Sequence, residues 1–151
     1  MADSTDDATL RAILGSPRRI ALVGASPKPD RPSHGVLRWL LARGHDVVPI
    51  NPGLAGQVIA GRAVAASLAE GGGGFDMLDI FRRGAEAGGV VDEAIALGPA
   101  FWAQDKAEGG AGVVWMQLGV VDEDAAARAR AAGLVPVMDR CPVIEANRLG
   151  L

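Results

Sequence analysis

Four consecutive apolar residues, Ile20 to Val23, end at Gly24 and give way to a polar loop broken by Pro27, Pro29 and Pro32. An apolar run bounded by turn residues predicts a strand buried on both faces. The next pattern has another period. Val36, Leu37, Leu40 and Leu41 recur at helical spacing with Arg38 and Arg43 opposite, so Ser33 to Arg43 is predicted as a helix stopped by Gly44. A second strand is expected over Asp46 to Ile50, closed by the turn residues Asn51-Pro52-Gly53. From Leu54 to Glu70 the pattern weakens into loop, with one helical turn over Ser67 to Glu70, and Gly71 to Gly74 read as a flexible linker.

Phe75 to Phe81 is the third predicted strand, and Val90, Val91, Ala94, Ile95 and Leu97 form the face of a helix ending at Gly98-Pro99. Gln104 to Gly112 is polar and glycine-rich, a surface excursion before a fourth strand at Val113 to Met116. Asp122, Glu123 and Asp124 favour the start of an alanine-rich helix reaching Ala132. Leu134 to Met138 is a short fifth strand whose Pro136 suits a sheet edge, and Val143 to Leu149 closes the chain as a helix. Near the start, Ser4 or Thr5 is expected to cap a helix over Asp6 to Leu14, with Leu10, Ile13 and Leu14 on one face.

Strand and helix alternate with short connections, which predicts a five-stranded parallel sheet in a three-layer α/β/α sandwich, doubly wound and Rossmann-like. The expected division is an N-terminal segment, 1–16, and one domain over 17–151. The simplest winding sets the first strand beside the fourth, so that the loops after Val23 and Met116 flank the ligand crevice.

Composition narrows the function classes. At 151 residues the chain is long enough to bury a core without disulfides, and its single cysteine, Cys141, cannot form an internal one. The polar, acidic start does not read as a secretory leader, and no apolar run is long enough to span a bilayer. A cytoplasmic protein without a membrane partner is expected. The formal net charge of -3 argues against nucleic acid as a bulk electrostatic partner, so any anion site must be local.

The polar residues that carry chemistry collect after the strands: Ser26, Lys28, Arg31 and Ser33; Asn51; Arg82 and Arg83; Gln117; then Asp139 and Arg140. In a doubly wound sheet these loops converge on one edge, giving a local cationic rim suited to a ligand with several phosphates, helped by free N–H groups at the following helix start. The loop after Gly24 lacks the further glycines of a dinucleotide fingerprint, and Asn51 stands where an acid would hold a ribose. An NAD(P)- or flavin-nucleotide-binding module therefore remains only an alternative. A P-loop is absent, and one cysteine with two distant histidines supplies no zinc site. His34 reads as an exposed bystander at a helix start, and His45 lies at the wrong end of its strand for the crevice. Asp139 and Glu145 read as helix-start and surface residues, Trp115 as core, and Trp39 as either wall or core.

Gly24-Ala25-Ser26 with Lys28, Arg31 and Ser33, then Asn51-Pro52, Phe81-Arg82-Arg83, Trp115 to Gly119, and Met138 to Pro142 with Glu145 follow one another in a distinctive order. In these motifs the chain resembles the small stand-alone CoA-binding proteins, similar in fold to the CoA-binding domain of the succinyl-CoA synthetase α subunit. The resemblance runs from Arg18 to Leu149, with an excursion at 104–112 longer than the family usually has. It implies coenzyme A as the ligand. Gly24, Ala25, Ser26 and Lys28 would hold the phosphates with help from Arg31, while Asn51, Phe81 and Arg82 would border the adenosine. Ser33 and Arg83 belong to the same motifs, and Gln117, Leu118 and Gly119 would line the cleft towards the pantetheine arm. The synthetase works through a phosphorylated histidine on a second domain, which these residues do not include. The resulting expectation is non-covalent binding of CoA or an acyl-CoA, without evident catalysis. The enzyme alternative is CoA-thiol exchange or acyl transfer at Cys141, whose plainer reading is a half-buried residue turning the chain before Pro142.

Overall fold

The computed structural model describes residues 5–83, 85–104 and 112–151. In chain order the elements are α1 (Asp7–Leu14), β1 (Arg19–Val23), α2 (Pro32–Ala42), β2 (Asp46–Ile50), β3 (Val58–Ile59), β4 (Arg62–Ala63), β5 (Met77–Ile80), α3 (Ala85–Leu97), β6 (Val113–Met116), α4 (Glu123–Ala131), β7 (Val135–Val137) and α5 (Pro142–Leu149). Five strands form one sheet in the order β2-β1-β5-β6-β7, with every neighbouring pair parallel. The short β3 and β4 pair antiparallel as a separate hairpin.

Alternation along the strands separates two cores. Ala21, Val23, Leu78, Ile80, Val114 and Met116 face the α3 and α4 side, where Val91, Ala94 and Ala126 pack. Ile20, Leu22, Met77, Trp115 and Val137 face the opposite layer, which holds Leu10 of α1, Leu37 and Leu40 of α2 and Leu149 of α5. Burial on both faces explains why these strands read as unbroken apolar runs. Residues of α1 are thus in the same core as the sheet, and the helix is tied to α5 by Arg148 to Asp7 and by Arg11 to the Leu149 carbonyl.

The expected winding is corrected. β1 pairs with β2 on one side and β5 on the other, so it does not touch β6, the fourth strand of the sheet. The chain reverses direction once, after β2, and each later strand adds outward. Alternation predicts a parallel sheet but does not fix this order, which is the other common doubly wound one. The switch point therefore lies between the loops after Val23 and Ile80.

Local differences have local causes. Asp6, rather than Ser4 or Thr5, caps α1, its carboxylate accepting the Thr9 N–H at 2.8 Å. Residues 54–70 hold the β3–β4 hairpin, and the expected turn at 67–70 is a 3-10 turn over Ala69–Gly71. The third sheet strand is shorter than expected: Phe75 bridges to Trp102, and the strand ends at Ile80, with the Phe81 N–H still donating to the Val23 carbonyl at 2.9 Å. The glycine run is no plain linker: Gly72, Gly73 and Gly74 have positive φ, and Arg19 donates to the Gly71 and Gly73 carbonyls. The expected excursion at 104–112 lies almost wholly outside the described residues.

Both edge strands contain a proline. Val135 of β7 donates its N–H inward to Gly112, so Pro136 turns its nitrogen away from the sheet. On β2, Asp46 donates inward to Arg18, and Pro49, three positions on, likewise faces outward, its carbonyl accepting from Ala65.

Candidate functional site

A cavity of about 1220 Å³ opens along the carboxyl ends of the five parallel strands. Its floor starts at Gly24, where β1 ends. Gly24 has φ +93°, and a Cβ there would lie 3.1 Å from the Cβ of Phe81, so glycine lets the first loop turn beside the end of β5. The N–H groups of Gly24 and Ala25 both reach the Ile50 carbonyl, at 3.1 and 3.4 Å. Asn51 completes this anchorage: its amide donates to the Ala25 carbonyl at 2.9 Å and accepts from Gly53 at 3.0 Å. The Asn51 side chain lines the cavity while holding two loops in place.

The loop continues through Ser26, whose hydroxyl accepts the Lys28 N–H, to Arg31 and Pro32 at the start of α2. No side chain caps this helix, so its first turn presents backbone N–H groups towards the cavity wall formed by Pro32, Ser33 and Gly35. His34 corrects the reading as an exposed bystander. It is buried, and its Nε2 accepts from Arg38 Nε at 2.9 Å, which leaves Nδ1 to donate to the Ser26 carbonyl at 3.0 Å. The ring braces the loop from behind.

Lys28, Arg31, Arg82 and Arg83 all line the cavity, and among the described residues none of the four makes an ion pair. One acid, Glu86, shares the wall. The net-acidic chain thus concentrates cationic groups where the loops after β1 and β5 meet.

Beyond Phe81 and Arg82 the wall passes to the β6 end. Gln117 is buried, donates its backbone N–H to the Ile80 carbonyl, and has a buried side-chain oxygen with no protein partner among the described residues. Leu118 lines the cavity and is exposed, whereas Gly119 stands outside the lining: its φ is +82° and its N–H binds the Asp139 carboxylate at 2.8 Å. Gly119 shapes a turn, and Asp139 holds that turn rather than starting a helix. Cys141 lines the cavity at the N-cap of α5 and is buried. Glu145 is likewise buried, not a surface residue, and pairs with Arg140 and Arg148.

The structure brings Gly24, Ala25, Ser26, Lys28, Arg31, Ser33, Asn51, Phe81, Arg82, Arg83, Gln117 and Leu118 to one cavity. His45 lies at the other end of the sheet, its Nδ1 accepting the Arg18 N–H; burial and the nearby Arg18 and Arg43 lower its pKa. Trp115 is fully buried and donates to the Arg140 carbonyl. Trp39 is a wall residue, stacked by Arg43 at 4.5 Å.

Sequence reasoning missed the apolar wall of Val36, Val120, Val143 and Ile144. The spacing of Val36 and Trp39 on one helix face was the available signal. It also missed Asp79, fully buried beneath this edge with both carboxylate oxygens unpartnered among the described residues, its pKa raised well above the usual range by burial. An acid inside the run Met77 to Phe81 was visible in the sequence. Among the described residues no group of side chains is arranged to hold a metal, and no helix is long and apolar enough to cross a membrane.

Known proteins share this architecture. A hypothetical protein from Pyrococcus horikoshii OT3 has 33% sequence identity and a TM-score of 0.82, the match covering 99% of this chain and 95% of that one. The cell-free ID.343 structure from Thermus thermophilus has 34% identity and the same TM-score, over 96% of this chain and 99% of that one. In Bacillus subtilis (strain 168), the uncharacterized protein YneT is 34% identical over 134 residues, 89% of each chain. The family model described as CoA binding domain matches residues 18–147, from just before β1 into α5. That span takes in every strand of the sheet and every loop of the cavity, and the chain belongs to the CoA binding domain family.

Proposed function

We propose that this protein binds coenzyme A or an acyl-CoA non-covalently in the strand-end cavity. The observation that carries the reading is the meeting of Lys28, Arg31, Arg82 and Arg83 beside the uncapped start of α2. Several phosphates on one ligand would satisfy those cations and the first-turn N–H groups together. Phe81 and Asn51 border the adenosine, and Gln117 and Leu118 flank the pantetheine arm. A cytoplasmic location fits this ligand and the single thiol. Calorimetric titration of CoA into ligand-free protein tests the reading, with NAD⁺ as the competing nucleotide. A dissociation constant on the order of micromolar, about -8 kcal/mol, is expected for CoA, with Lys28→Gln and Arg82→Gln each weakening it roughly tenfold. Absence of saturable CoA binding, or tighter binding of NAD⁺, would remove the proposal.

The presence of Cys141 in the same wall favours a second reading, thiol exchange. The Cys141 thiolate attacks one sulfur of CoA disulfide, a Cys141–CoA disulfide forms as the CoA–CoA bond breaks, and the departing CoA thiolate takes a proton. A reducible mass increase of one CoA on Cys141, lost in Cys141→Ser, is the expected result, and no adduct after incubation with CoA disulfide rejects it.

A further inference from the structure

The cavity is divided along the strand order. Its cationic groups stand on the loops after β1 and β5, with Asn51 at the β2 end. The residues contributed by the β6 and β7 ends and by α5 are Gln117, Leu118, Val120, Cys141, Val143 and Ile144, none of them charged. Two of these, Leu118 and Ile144, are large aliphatic side chains left 51% and 50% exposed. Val36 and Trp39 of α2 line the same cavity from the neighbouring helix.

Distance matches the division to the ligand. Three inter-strand steps separate β1 from β7, roughly 14 Å at about 4.8 Å each. A pantetheine arm has the backbone length of about four amino-acid residues, also roughly 14 Å when extended. An arm of that length starting from phosphates at Lys28 and Arg31 is long enough to carry its sulfur towards Leu118, Cys141 and Ile144. Whatever the sulfur carries then meets apolar side chains.

We propose that the β6–β7 end of the cavity is an acyl subsite, and that the ligand is a CoA thioester of an uncharged aliphatic acid rather than free CoA or a thioester ending in a carboxylate. This rests on the CoA-binding reading above. Covering Leu118 and Ile144 supplies the preference, since each methylene taken out of water is worth roughly fourfold in affinity. A terminal carboxylate would lose hydration against Leu118, Val143 and Ile144, none of which offers it a charged partner.

The test is calorimetric titration with CoA, hexanoyl-CoA and succinyl-CoA, on the wild type and on Ile144→Asn and Ile144→Leu. Hexanoyl-CoA is expected to bind about tenfold tighter than CoA, the gain from covering roughly two of its methylenes, and at least threefold, with succinyl-CoA no tighter than CoA. Ile144→Asn should bring the hexanoyl-to-free ratio close to one, whereas Ile144→Leu should keep it. A ratio below threefold in the wild type, a preference for succinyl-CoA, or an unchanged ratio in Ile144→Asn would overturn the subsite while leaving CoA binding intact. Failure of every one of these ligands to bind would overturn both readings.

Discussion

At Asp79 a carboxyl group sits in the middle of the sheet between Leu22 of β1 and Trp115 of β6, with no donor for either oxygen among the described residues. Burial raises its pKa, so the folded state keeps a proton that the unfolded chain releases above about pH 4. Its contribution to stability therefore falls as pH rises from there through the raised value. Asp79→Val is expected to gain about 1–3 kcal/mol in urea unfolding at neutral pH, because an unpartnered buried polar group is removed. His45 works in the opposite sense. Its pKa is lowered on folding, so its contribution is present above about pH 6.5, the unfolded value, and is lost as pH falls through the lowered one. His45→Asn can keep an acceptor for the Arg18 N–H, and should flatten the loss of stability expected for the wild type as pH falls below about 6.5, which parallel urea titrations of the two proteins check. Neither role was legible from residue type alone. A lone histidine or acid in a sequence does not reveal whether its partners are protein, water or nothing, as the buried His34 also illustrates.

The elements themselves were largely readable, since apolar runs, helical spacing and Gly44 mark their ends locally. What failed to read were features set by distant contacts. The run Gly71 to Gly74 has linker composition, yet the Arg19 guanidinium arrives from β1 to hold it, and Gly73 approaches the Ala100 carbonyl too closely for a Cβ. Strand order is likewise non-local, and the choice between β5 and β6 as neighbour of β1 leaves no periodic trace. The site was more legible than the sheet order, because each parallel strand delivers its following loop to the same edge whichever neighbours it has. Gly24 joins the two levels. Its positive φ and the nearby Phe81 Cβ make Gly24→Ala costly by about 1–3 kcal/mol. The same substitution should weaken CoA binding, because the loop carrying Ser26 and Lys28 pivots there. Thermal unfolding and CoA titration of the one variant check both effects.

For the whole molecule, β2 and β7 are the outer strands of the sheet, β2 with its outer flank bridged at Ile50 by Ala65. Their prolines, Pro49 and Pro136, present no N–H at the centre of the outer flank. On β7 a strand from another copy would find its hydrogen-bonding register interrupted at that position, and on β2 it would also meet the segment around Ala65, which already bonds the Pro49 carbonyl. These two residues thus govern how the protein behaves in a crowd. Replacing both with valine should raise strand propensity and open the borders to foreign chains. Light scattering of concentrated Pro49→Val/Pro136→Val protein is expected to grow with time at a concentration where the parent stays clear. In a sheet built to bury its faces, one rim is guarded by a missing hydrogen, and the other by a missing hydrogen and the chain that folds over it at Ala65.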